Sequence, residues 1–214
     1  MSKVIILGAA GHIARLAAKQ LIKETDDQLK LFVRHPKKLT DVDKNRETVV
    51  VGDVNNESEL AAALKGQDLV YANLGPDDTD KMIPHIVNAM HEAGLKRLIW
   101  ISTLGVFDEV PGKFGDWNKQ MLNPSGYLPT QSKAASEIEA SDLDYTIIRP
   151  NWLTNKDEVD YEVTGRHDEM KGTEVSRKSV ADYVVKLVQN PKKDVRTSIG
   201  LNKPNTDGDK PSFY

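Results

Sequence analysis

Val4-Ile5-Ile6-Leu7-Gly8-Ala9-Ala10-Gly11-His12-Ile13-Ala14 is the stretch whose reading decides the fold. Four consecutive branched apolar residues read as a strand covered on both faces. Two glycines follow, and helical periodicity begins directly after them at Ile13. Glycine is required where a chain turns sharply and where backbone must approach a pyrophosphate with no side chain in the way. The helix behind such a turn directs free N–H groups and the positive end of its dipole at the phosphates. Ala14 is small enough for helix and sheet to pack closely. The G-x-x-G-x-x-A spacing is one residue wider than the G-x-G-x-x-G fingerprint. Its alternative is a tight turn in a nucleotide-free α/β protein. The position at the head of a β/α series favours a nicotinamide dinucleotide, with Gly8, Ala10, Gly11, His12 and Ile13 as candidate contacts.

Outward from this turn, apolar runs rich in β-branched residues alternate with stretches of helical periodicity. Strands are predicted at 4–7, 29–33, 48–51, 69–72, 97–101, 145–148 and 198–201, and helices at 13–23, 58–64, 81–93, 131–140 and 180–189. Gly94 and Pro191 stand where helix ends are expected. The alternation predicts one α/β domain over residues 1–214. It is a Rossmann-type doubly wound parallel sheet of about seven strands with helices on both faces, in three α/β/α layers. Residues 103–128 and 151–174 read as long irregular loops after strands, at the carboxyl edge where substrate binds. The tail from Lys203 reads as a surface extension.

Composition narrows the chemistry. With no cysteine among 214 residues, disulfides and thiolate metal sites are excluded, so redox chemistry must come from a cofactor. The net charge of −3 is interspersed, without the basic face that nucleic acid or an anionic membrane would require. The five-residue apolar run after Lys3 is too short for a signal-peptide core or a membrane span. A cytoplasmic protein, monomer or homodimer, acting on a small molecule is expected. His12, His35, His85, His91 and His167 show no ligand spacing, so no metal is expected.

Other strand ends supply further candidates. NAD-binding turns usually place an acidic residue at the end of the second strand to take the ribose hydroxyls. Arg34 stands there instead, followed by His35-Pro36-Lys37-Lys38. A guanidinium and two ammoniums suit a 2′-phosphate, which favours NADP over NAD, the alternative being a basic solvent-facing turn. Asp53 and Val54 end the third strand, and Asn73-Leu74-Gly75-Pro76 the fourth. Asp53 is suited to an adenine amino group or, equally, to capping the next helix. Leu74 and Gly75 are suited to lie against adenine and ribose.

Together with Ile101-Ser102-Thr103-Leu104-Gly105-Val106 and the run from Ser141 to Pro150, these blocks resemble the atypical short-chain dehydrogenase/reductase family. The resemblance is to its NAD(P)H-binding, NmrA-like and biliverdin-reductase-B-like branch. It implies NADP across the carboxyl edge of the sheet and substrate under the loops after the fifth and sixth strands. Family members with Ser-Tyr-Lys chemistry use a serine to polarise the substrate oxygen, a tyrosine to exchange the proton, and a lysine four residues on to hold the ribose and lower the tyrosine's pKa. Ser102 and Lys133 match the serine and the lysine. Pro129 stands in the tyrosine's place, so the Tyr-x-x-x-Lys motif is broken, and Tyr127 is the nearest substitute acid. Pro129 is expected to begin the helix that carries Lys133. Lys133 reads either as a ribose contact or as the exposed partner of Glu137 one turn on.

An acceptor that takes its proton from solvent needs no tyrosine. Phe107, Phe114, Trp117, Met121, Tyr127 and Trp152 put flat or soft apolar groups into the two edge loops. They suit a planar substrate, or serve equally as lids over the core or as a partner surface. The leading expectation is an NADP(H)-dependent oxidoreductase of a small, planar organic acceptor. The alternatives are a non-catalytic, NmrA-like NADP(H)-sensing regulator and, behind it, a sugar-nucleotide epimerase.

Overall fold

A strand that is apolar on both faces must be covered on both, and the helices here are distributed to do that. The computed structural model describes residues 1–75 and 78–214. In chain order the elements are β1 (Lys3–Leu7), α1 (His12–Glu24), β2 (Gln28–Val33), β3 (Glu47–Val51), α2 (Glu57–Leu64), β4 (Leu69–Ala72), α3 (Thr79–Glu92), β5 (Arg97–Ile101), α4 (Gly112–Leu122), α5 (Tyr127–Ala140), β6 (Asp144–Pro150), β7 (Trp152–Thr154), β8 (Glu162–Thr164), β9 (Glu174–Ser176), α6 (Arg177–Gln189) and β10 (Thr197–Asn202). The main sheet runs β3-β2-β1-β4-β5-β6-β10-β8. All its pairings are parallel except the outermost, where β8 runs antiparallel to β10. The expected three-layer Rossmann architecture is what forms, with one more strand than the sequence pattern revealed.

Successive strand residues point to opposite faces, and the core divides accordingly. Val4 and Ile6 of β1 pack with α1 and α6 on one side, among Ala14, Ala17, Leu21, Val184 and Leu187. Ile5 and Leu7 pack on the other, with α2, α3 and α5 through Leu60, Ile83, Ile86, Ala134 and Ile138. Each such fully buried Leu or Ile contributes roughly 1.5–3 kcal/mol relative to exposure. The strand order reverses between β1 and β4, which opens a crevice beyond their carboxyl ends. Register fixes what meets there. Leu7 lies opposite Phe32 and Ala72, so Gly8, Arg34 and Asn73 all emerge at one edge.

Three expectations are corrected. Residues 103–128 are not irregular, because they contain α4; its two glycines, Gly112 and Gly115, dilute the apolar periodicity. Residues 151–174 hold β7 and β8 and reach β9, with β7 and β9 forming a separate two-stranded parallel sheet. Three-residue strands are too short for a period-2 pattern to register. The helix carrying Lys133 starts at Tyr127, two residues before Pro129. Proline is tolerated there because first-turn N–H groups lack intrahelical partners.

The tail is also more integrated than its composition suggested. Asp207 accepts the Gly172 N–H at 2.8 Å, Ser212 donates its hydroxyl to Glu174 at 2.6 Å, and Tyr214 packs against Trp117 and Trp152 with ring centres 5.1 Å away.

Candidate functional site

The glycine turn is built against β4. Gly8 has φ +76°, and a Cβ there would lie 2.3 Å from the Asn73 carbonyl oxygen; at Gly11 it would lie 2.1 Å from Asn73 Nδ2. Asn73, tied to β1 by donating its N–H to the Leu7 carbonyl at 2.9 Å, therefore fixes the back of the turn. Gly11 caps α1 with extended backbone, no side chain among the described residues accepts from the first-turn N–H groups, and no acidic residue sits in that turn. Such a turn fits a pyrophosphate: the cradle is closed to any Cβ, and the helix end is open to an anion. Ile13 is 4% exposed, so only its backbone is available to a ligand.

A cavity of about 250 Å³ beside the turn is lined by Gly8, Arg34, Asp53, Val54, Leu74 and Gly75 among others. The strand ends singled out in the sequence thus converge on one space. Arg34 is exposed at its rim and precedes a single 3-10 turn over Pro36–Lys38. Asp53 does not cap α2. Asn56 does, its side chain accepting the Glu59 N–H at 3.2 Å, while Asp53 accepts the Asn55 N–H at 2.9 Å. Pro76 lies outside the described residues. The His12 side chain lines a different groove, along α1.

Directly after β5 stands Ser102, 5% exposed, whose Oγ has no hydrogen-bond partner among the described residues. Its N–H donates to the Ile148 carbonyl at 2.8 Å, which holds it against β6. Tyr127 is half-buried in the first turn of α5; burial raises its phenol above the ordinary value, against an opposing influence from Thr103. Lys133 is engaged elsewhere. Its Nζ lies 3.0 Å from Asp80 in the first turn of α3 and 3.9 Å from Glu137, and its side chain is 61% exposed. Both carboxylates raise the ammonium pKa, the Asp80 hydrogen bond most.

Sequence reasoning missed the frame that holds the edge loops together. Arg149 Nε donates to Ser198 Oγ and Nη2 to the Gly165 carbonyl, each at 2.9 Å, while Nη1 pairs with Glu109 at 2.6 Å. Glu109 in turn accepts the N–H groups of Gly105 and Phe107, both at 2.9 Å. A cation in the apolar run Tyr145-Thr146-Ile147-Ile148-Arg149 was the available signal, because a buried charge demands a partner. The aromatic residues of the loops are largely spent on each other. Trp117 lies with ring centres 6.0 Å from Phe114 and 4.9 Å from Trp152, and the Trp152 indole donates to Asn118 at 2.9 Å. Phe107 lies under Arg166, 3.4 Å from guanidinium carbon to ring centre.

A family model described as NAD(P)H-binding matches residues 8–191. Among solved structures, a Rossmann-fold NAD(P)-binding family protein from Shigella flexneri is 40% identical with a TM-score of 0.85, each chain covered in full. A wide-type short-chain dehydrogenase/reductase from Veillonella parvula DSM 2008, solved in complex with NADP, is 30% identical over 99% of both chains with a TM-score of 0.93. The UPF0659 protein YMR090W of Saccharomyces cerevisiae is 27% identical over 93% of this chain and 92% of its own length.

Proposed function

The chain belongs to the NAD(P)H-binding family, and from that premise we propose that it is an NADP(H)-dependent oxidoreductase of the atypical short-chain dehydrogenase kind, reducing a small, planar organic acceptor in the cytoplasm. The observation that carries this reading is the cavity where Arg34 faces the glycine turn in place of the usual acid. The first-turn N–H groups of α1 would hold the pyrophosphate, and Arg34, followed by Lys37 and Lys38, would neutralise the 2′-phosphate. NADP is further supported by the Veillonella parvula relative solved with it. When bound, the cofactor supplies hydride from its nicotinamide.

The chain's own contribution is orientation and a hydrogen-bond donor. The Ser102 hydroxyl, buried beside β6 and without a partner among the described residues, would donate a hydrogen bond to an acceptor oxygen. With Pro129 in the tyrosine's place and Lys133 held by Asp80, the chain has no Tyr-Lys relay, which favours acceptors that take a proton from solvent. The half-exposed rings of Trp117 and Trp152 supply the flat apolar wall of the edge loops. NADPH consumption measured against quinones, flavins and aldehydes tests the reading. Turnover of planar acceptors with weak or no aldehyde activity is expected; flat traces across the panel, with NADPH binding confirmed, would overturn it.

The same broken relay supports one second reading, a non-catalytic sensor of NADP(H). A pull-down that recovers a partner preferring either NADP- or NADPH-loaded protein would support it. Sugar-nucleotide epimerisation ordinarily relies on the missing tyrosine and ranks behind both.

A further inference from the structure

The sheet is left uncovered at one place. Consecutive parallel strands are ordinarily joined by a helix that packs on the sheet. Residues 34–46, which connect β2 to β3, contain only the 3-10 turn over Pro36–Lys38. Side chains alternate along a strand, so Glu47, Val49 and Val51 of β3 share one face. Glu47 lines a groove along the outside of α1, which puts that face on the α1 side of the sheet. Val50 turns the other way and packs with the core on the opposite side. Val49 is 37% exposed and Val51 60%, and Leu16, on the outer surface of α1, is 38% exposed. β3 is also the terminal strand of the sheet. Exposed branched side chains on one side of an edge strand and of the helix next to it mark a contact surface.

Charge decides what fits this surface. Asp41 and Asp43, in the β2–β3 connection, line the groove of about 470 Å³ from the β3 side. Arg15 and Lys19 line it from α1, and Arg177 from the first turn of α6. Among the described residues, Asp41 and Asp43 have no cationic partner; Asp43 accepts only the Asn45 N–H, at 2.9 Å. Glu47 accepts the Asp43 N–H at 2.6 Å. Arg15 and Lys19, one turn apart, likewise have no carboxylate partner among the described residues. Arg177 donates to neutral oxygens, the Leu153 carbonyl at 3.3 Å and Asn155 Oδ1 at 2.8 Å.

The acids of the β3 side balance the cations of the α1 and α6 side, so a partner carrying one sign of charge meets repulsion from half of the lining. A surface with opposite charges on its two sides is complementary to itself. Turned about a two-fold axis, the acidic side of one copy meets the cationic side of the other, and the contact occurs twice.

We infer that this face is a dimer interface whose occupant is a second copy of the chain. Asp41 and Asp43 of each protomer meet Arg15 and Lys19 of the other, and the partner covers the exposed Leu16, Val49 and Val51. Dimerisation through this face is independent of the chemistry proposed for the cofactor crevice.

Sedimentation equilibrium of the intact protein over a concentration series tests this. Wild type is compared with Asp41→Lys/Asp43→Lys, Arg15→Glu/Lys19→Glu, Leu16→Glu, and Val163→Glu. Val163 lies on β8 at the opposite edge of the sheet and is 50% exposed. Circular dichroism first shows that each variant keeps the wild-type secondary structure. Wild type is expected at twice the chain mass. The first three variants should each raise the dissociation constant by about tenfold or more, and Val163→Glu should leave it unchanged. An equimolar mixture of the two charge-reversed variants should restore a dimer, because each supplies the sign the other lacks at both contacts. A wild type that stays monomeric, charge-reversed variants that dimerise like wild type, a mixture that stays monomeric, or dissociation by Val163→Glu alone would each overturn the proposal. The last result would put the interface at β8.

Discussion

Arg149 at the end of β6 and Glu109 in the segment after β5 form an ion pair of 2.6 Å, with side chains only 0% and 6% exposed. Through Glu109 the pair also fixes the N–H groups of Gly105 and Phe107, so the backbone next to Ser102 is held by a charge buried in the neighbouring strand. Removing one partner strands the other charge. Glu109→Ala or Arg149→Met should each cost about 3–5 kcal/mol in urea unfolding. The double variant should cost clearly less than the sum. Additive losses would show that the two groups are not coupled.

The two glycines of the turn predict different outcomes. Gly8→Ala meets both a positive φ and a carbonyl oxygen that cannot swing away, whereas Gly11→Ala meets the end of the Asn73 side chain. NADPH binding followed by fluorescence should fall by about 10²-fold or more for Gly8→Ala, the equivalent of roughly 3 kcal/mol. Gly11→Ala should lose less, and Gly11→Ala combined with Asn73→Ala should recover part of that loss.

Arg34 carries the choice between cofactors. Arg34→Glu should weaken NADP binding by about tenfold or more while leaving NAD within a few-fold, since only NADP presents the 2′-phosphate. Equal losses in calorimetric titrations of the two cofactors would remove Arg34 from the 2′-phosphate.

Ser102 and Lys133 should separate in kinetics. Ser102→Ala should lower kcat by about 10²-fold with planar acceptors, the scale of losing one positioned hydrogen-bond donor to the developing oxyanion. Lys133→Met should change kcat by less than about threefold, because the ammonium is held by Asp80. A kcat loss in Lys133→Met matching that of Ser102→Ala would restore the lysine to the reaction.

Asp142 should make a small, acid-sensitive contribution to stability, small because its ion pairs are exposed. Hydrogen bonds from Lys96 and then His91 hold its carboxyl at about 2, below the ordinary 3.8. A depressed carboxyl stabilises the folded state above its unfolded value, and that contribution disappears as pH falls through the folded value. The stability advantage of wild type over Asp142→Asn should therefore hold above pH 4 and vanish towards pH 2. A difference unchanged across that window in urea midpoints would contradict the assignment.

The sequence by itself determined the α/β alternation, the glycine turn and the strand ends that meet at the cofactor cavity. Those features are local: Val4 to Leu7 reads as a strand, Gly8 and Gly11 as a turn, and each candidate from Arg34 to Gly75 follows directly from its own strand. Only the tertiary structure decided how the second half of the site is held. The three-residue strands β7, β8 and β9 owe their pairing to neighbours rather than to a pattern of their own, and α4 forms despite two glycines. Arg149 with Glu109, Lys133 with Asp80, and Tyr214 with Trp117 are distant in the chain, so no spacing rule connects them. Periodicity records which face of an element is buried; it does not record which distant charge or ring will be there to meet it.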